Sequence, residues 1–194
     1  MWRASRVYRH IPGFRRLKRA WRSRGFGIHS PFAFRFVTSV LRERGEYYSY
    51  AELRRIAHSG ARFADLSLLF RLVCFFEPSV FGVYGDFGVQ PRKTVALADS
   101  RVRIMDMNGS PGSGDVVPDL LYVGTGGKYS DAAMLATAFR VLHEEGIVVC
   151  RGLPPDTLTG LKSCFENGMT FTNGTVAILV SRHDLPRQDF EVNF

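Results

Sequence analysis

A chain of 194 residues with 45% apolar content has the material for one folded domain plus an appendage, and that content is ordinary for a globular protein. Its formal charge of +8 is unevenly spread: residues 1–24 hold nine Lys/Arg and no acid, leaving 17 basic against 18 acidic residues in the rest. The basicity therefore belongs to an arm and not to the body. Three scattered cysteines, Cys74, Cys150 and Cys164, exclude a disulfide framework and have no metal-ligand spacing, and each sits in an apolar stretch that suits a reduced, buried thiol. No apolar run approaches the roughly 18 residues of a membrane span, and no secretory signal is read, so the expected location is cytoplasmic.

In the arm, Val7, Ile11, Phe14 and Trp21 fall near helical spacing among the arginines. Such a segment either docks its apolar side on the body or meets an anionic membrane surface or nucleic acid through phosphate attraction. The helical leader spans 25–78. Ser30 before Pro31 marks a helix start. The stripe Phe32, Phe36, Val37, Val40, Leu41 follows, with Gly45 as the expected stop. Ser49 and Glu52 form the pattern of a capping box for a second helix, Tyr50–Ser59, closed by Gly60. A third helix over Arg62–Phe76 is apolar on most of its surface and is expected to be buried.

From residue 79 to 194 short strands alternate with helices. Strands are expected at Ser79–Tyr84, Arg101–Met107, Asp119–Val123 and Ile147–Cys150. Helices are expected at Pro91–Ala98, Asp131–His143 and Thr157–Glu166. In the helix Asp131–His143 the inward residues are read as Ala133, Leu135, Ala136, Phe139 and Leu142. Met169–Thr172 and Thr175–Ser181 flank Asn173-Gly174, a hairpin signal. Alternating βα units imply a parallel sheet with helices on both faces. Between the second and third strands only the Gly/Ser/Pro loop Asn108–Pro118 is present, where a helix–strand–helix unit would be expected; neighbouring parallel strands need a crossover of about a dozen residues or more. The fold class is thus a reduced Rossmann-like α/β sheet lacking one helix–strand unit, preceded by a helical leader.

Three stretches carry a family likeness: Gly27-Ile28-His29-Ser30-Pro31-Phe32 followed by Tyr47-Tyr48; the strand–loop–helix–strand order from Asp119 to Leu153; and the closing Gln188-Asp189-Phe190-Glu191-Val192-Asn193-Phe194. Together they resemble bacterial class I S-adenosylmethionine-dependent methyltransferase-like proteins related to small-molecule O-methyltransferases. The resemblance implies a cofactor loop at Gly85-Asp86-Phe87-Gly88-Val89 and a ribose-binding carboxylate at Asp106, at the end of the second strand. Glycines there allow close backbone approach to a ligand. It implies S-adenosylmethionine as cofactor and His29 as a substrate-side base; no metal is expected, for the departures that follow.

The chain departs from the family pattern at several places. Tyr84 stands where an acid usually precedes the loop, and the glycine spacing is shortened. Gly124 stands where the fourth family strand often ends in Asp, and Cys150-Arg151-Gly152 where the fifth often ends in acids. Exchanging carboxylates for Gly and Arg removes the oxygen ligands of a divalent cation. The missing unit removes a wall of the adenine pocket, and Phe87, Val89 and Tyr122 are candidates to occupy its groove.

Gly124-Thr125-Gly126-Gly127-Lys128-Tyr129 lacks the spacing of a phosphate loop and reads as a plain loop, with an anion site as the alternative. Three functional readings follow. One is a degenerate methyltransferase-fold protein without catalysis that binds a protein partner or small molecule. A second is an active methyltransferase on a small hydroxylated substrate. The third is an anionic-surface binder acting through residues 1–24. A sheet edge left open by the missing strand invites another chain, including a second copy in a homodimer.

Overall fold

The computed structural model describes residues 28–57, 62–85, 89–107, 116–124 and 132–194. The basic arm, Gly60, Asp86, Phe87, Gly88 and the loop residues 125–131 lie outside the described residues.

The leader begins with α1, Pro31–Phe36, whose N-cap Ser30 accepts a hydrogen bond from the Ala33 amide at 3.3 Å. The helix then widens into a π-turn, Val37–Leu41, closed by the Arg42 amide donating to the Val37 carbonyl at 3.0 Å. This turn ends the helix at Arg42, short of the expected Gly45. It keeps Phe36, Val37, Val40 and Leu41 buried on one side. Helix α2, Tyr50–Ala57, packs Tyr50, Leu53 and Ile56 against Leu66 and Phe70 of α3, Phe63–Phe76. Arg62 is the N-cap of α3, not its first residue, and Glu77 in the left-handed region (φ 48°) stops it.

The body is one seven-stranded sheet. Its strands are β1 Val80–Tyr84, β2 Arg103–Asp106, β3 Leu120–Val123, β4 Ile147–Arg151, β5 Gly168–Thr172, β6 Val176–Ser181 and β7 Gln188–Glu191. The order is β2-β1-β3-β4-β6-β5-β7. Strands β1 to β4 run parallel to one another, β6 runs antiparallel to both β4 and β5, and β7 pairs parallel with β5. The connecting helices are α4 Gln90–Ala98, α5 Ala132–His143 and α6 Pro155–Lys162. The last begins two residues before the expected Thr157, because Pro155 suits a first helical position where no amide is needed. It also ends before the expected Glu166.

Strand alternation sends side chains to two different cores. Phe81, Val83, Leu120, Val149, Ile178 and Phe171 face the leader, α3 and Val95 of α4, while Leu121, Val123, Val148, Cys150 and Leu179 face α5 and α6. Helices therefore cover both faces, as the alternation of elements requires. Phe36 of the leader meets Phe171 at 4.7 Å between ring centroids, and Phe171 stacks on Phe190 of β7 at 5.1 Å. This aromatic chain ties the leader to the far half of the sheet.

In α5 the buried stripe is Met134, Thr137, Ala138, Val141 and Leu142; Ala136 is exposed and Phe139 is 38% exposed. Apolar residues lie on more than one side of this helix, so composition does not fix its rotation; the strands β3 and β4 do. Of the cysteines, only Cys150 is buried, whereas Cys164 is half-buried and Cys74 is exposed. Burial pushes the Cys150 thiol up to about 12, leaving it inert.

β2 and β3 are not neighbours: β3 lies on the far side of β1. The residues that lead into β3 lie directly on the sheet. Pro118 is buried against Gly82 of β1, so close that a Cβ there would sit 2.8 Å from its Cγ. The Asp119 carboxylate then accepts the amides of Ser79 and Val80 at 2.7 and 2.8 Å, pinning the start of β1.

Candidate functional site

Because β1 to β4 run the same way, their C-terminal ends share one edge of the sheet, where open α/β folds place their ligands. Register pairs Val83 with Asp106, Tyr84 with Val123, and Val123 with Cys150. One residue further, Gly85, Gly124 and Arg151 follow as a row across three strand ends. The expected cofactor loop enters at Gly85, whose φ of 101° favours glycine.

Asp106 closes β2 beside that corner. Its carboxylate accepts a hydrogen bond from Arg92 of α4 at 2.6 Å and is 54% exposed. β2 pairs with β1 on one side and has no strand on the other among the described residues. Gly85 and Asp106 are thus brought to adjacent strand ends as expected, with the carboxylate already engaged by a cation. Of the candidate groove-filling side chains, Val89 is 58% exposed. Tyr122 packs toward the leader-side core instead, where burial pushes its phenol up to about 12. His29 is exposed and lies immediately before the Ser30 cap.

A cavity of about 440 Å³ opens further along the same edge, at the end of β4. Its walls come from the 43–46 segment, Tyr50, the start of α3, Arg71, Arg151, and the β5–β6 turn at Asn173 and Thr175. His29, Gly85 and Asp106 are not among its lining residues. Two strand spacings separate the β1 end from the β4 end, about 10 Å.

Each wall has a local cause. Asn173 builds the turn, its Oδ1 accepting the amides of Thr175 and Val176 at 2.9 and 2.8 Å, and Gly174 takes a φ of 90°. Arg151 crosses to α3 and forms an ion pair with Asp65, the two side chains being 17% and 24% exposed. Arg71 projects from the otherwise apolar α3; its Nε donates to the Val40 carbonyl at 2.7 Å and its Nη1 to the Tyr50 hydroxyl at 3.0 Å. These contacts tie the π-turn and α2 to the cavity rim.

The sequence reading passed over Arg71, Tyr50, Arg62 and Asp65. The available signal was Arg71 itself: a guanidinium inside a helix that must be buried needs a polar environment, and so implies a cavity or an internal partner. No group of three or more His, Cys, Asp or Glu able to hold a metal occurs among the described residues. Nor is any described helix long and apolar enough to cross a membrane.

No family model matches the chain, and no curated protein matches it. Among solved structures, it is similar to the SAH-bound methyltransferase PaMTH1 of Podospora anserina, at 12% identity and a TM-score of 0.45, covering 79% of this chain and 97% of that one.

Proposed function

We propose that this protein is a binding protein on a methyltransferase-like α/β scaffold that does not transfer methyl groups. The observation that carries this reading is the row Gly85, Gly124 and Arg151 across the ends of β1, β3 and β4. It holds one cation and no carboxylate, where the resembling family uses acids to place metal or substrate. Arg151 is committed to Asp65, so the end of β4 is built as an internal tie. Asp106 supports the same reading, since ribose hydroxyls would have to compete with Arg92 for its oxygens. On this reading the S-adenosylmethionine corner is a remnant, and the open strand ends and the leader cavity are the working surface.

An active methyltransferase would need Gly85, Asp86, Gly88 and Asp106 on the cofactor and an acceptor-side base at His29, and His29 does not line the cavity. Isothermal titration of the full chain with S-adenosylhomocysteine and S-adenosylmethionine tests the proposal. The expected result is no saturable heat at micromolar to sub-millimolar concentrations. A micromolar dissociation constant, about −8 kcal/mol of binding free energy, would contradict it.

A further inference from the structure

We propose that the cavity between the start of α3 and the end of β4 binds a small organic carboxylate through Arg71 and Arg62, with the ligand's apolar body against Phe63, Leu68 and Val176. The proposal concerns a different part of the strand-end edge from Gly85 and holds whether or not that corner accepts a methyl donor.

The partners of the charged groups point to an anion. Four arginines line the cavity, Arg44, Arg62, Arg71 and Arg151, with the side-chain carboxylates Glu43, Glu46 and Asp65 and the carboxyl end of Phe194 beside Asn173. The side-chain carboxylates are engaged: Asp65 with Arg151, Glu46 with Arg54 at 2.7 Å, and Glu43 with the Gly45 amide. Arg71 is half-buried, its hydrogen bonds go to a carbonyl and a hydroxyl, and its Nη2 has no partner among the described residues. A guanidinium stays charged in any protein environment, and removing it from water without a counterion is costly. An anion in the cavity supplies that counterion, and the planar fork suits a carboxylate. The first turn of the 14-residue α3 opens on the same space and adds its partial positive charge.

Size and apolar wall narrow the class. About 440 Å³ lies within the roughly 300–1,000 Å³ of small-molecule sites and is far larger than an inorganic ion requires. Phe63, Leu68 and Val176 offer apolar wall for a hydrocarbon body.

The test is calorimetric titration of the full chain with 3-phenylpropionate, its neutral amide 3-phenylpropanamide, and inorganic phosphate. Saturable binding of the carboxylate is expected, with the amide and phosphate each weaker by about ten-fold or more, as loss of one charge-assisted contact implies. Arg71→Gln should weaken the carboxylate by at least about ten-fold. That change also releases Val40 and Tyr50, so Arg62→Gln, at an exposed position, provides the second variant. It should melt like the parent and still bind the carboxylate several-fold more weakly. Absence of carboxylate binding at millimolar concentration, equal binding of the amide, tighter binding of phosphate, or unchanged binding by Arg62→Gln would each overturn the proposal.

Discussion

Arg151 shows how one residue ties a strand end to the leader. Its side chain turns to α3 and closes on Asp65 with most of both side chains out of water. Removing one member of such a pair leaves the other charge desolvated, which costs more than the pair itself contributes. Arg151→Met is expected to lower stability by about 1–3 kcal/mol, less than the full buried-pair figure because both groups keep some exposure. Adding Asp65→Asn should restore a good part of that loss. Chemical denaturation of the four proteins of the cycle measures the coupling; a single-variant loss under about 0.5 kcal/mol would show that the pair is only a surface contact. The sequence showed an arginine at this position but not its partner, because Asp65 lies on the leader helix, far away in the chain.

At the scale of elements, the residues that lead into β3 show how closely the chain packs on β1. Pro118 lies against that strand, and Gly82 makes room for it. Two opposed effects decide the outcome of Gly82→Ala. Replacing glycine in a strand favours the fold by roughly 0.5–1 kcal/mol through lost unfolded-state freedom. The new Cβ would meet Pro118 Cγ at 2.8 Å, with Pro118 Cβ and Leu121 Cδ1 at 3.1 Å. A proline ring yields little, and overpacking of this kind costs typically about 1–3 kcal/mol. Net destabilisation of about 1 kcal/mol or more is expected, read as a lower midpoint in thermal or urea unfolding. A stabilised Gly82→Ala protein would mean that Pro118 does not rest on β1. The reading of Asn108–Pro118 as a Gly/Ser/Pro loop falls mostly outside the described residues, and Gly82 itself gave no sign of its role in the sequence.

Across the whole molecule, the fold was more readable than the site. Alternation of strands and helices, the Asn173-Gly174 turn and the fully apolar β4 follow from local rules of periodicity and turn chemistry, and the structure places all of them close to the expected bounds. The rotation of α5 and the exposure of Cys74 were missed because both depend on which neighbour covers a surface that is apolar in more than one direction. The cavity was missed for a related reason: its wall joins the 43–46 segment, α2, α3, β4 and the β5–β6 turn. No spacing pattern encodes such a meeting. What the sequence did supply was Gly85, Gly124 and Arg151 at the strand ends, and those carry the proposed function.

The proposal turns on the strand-end corner at Gly85 and Asp106 not binding a methyl donor. The most direct measurement is a residue-resolved amide NMR titration of the full chain with S-adenosylhomocysteine, followed at Gly85, Asp106 and Gly124. No concentration-dependent shifts at these amides are expected up to millimolar ligand, while the protein stays folded. Saturable shifts clustered on those three positions would contradict the account.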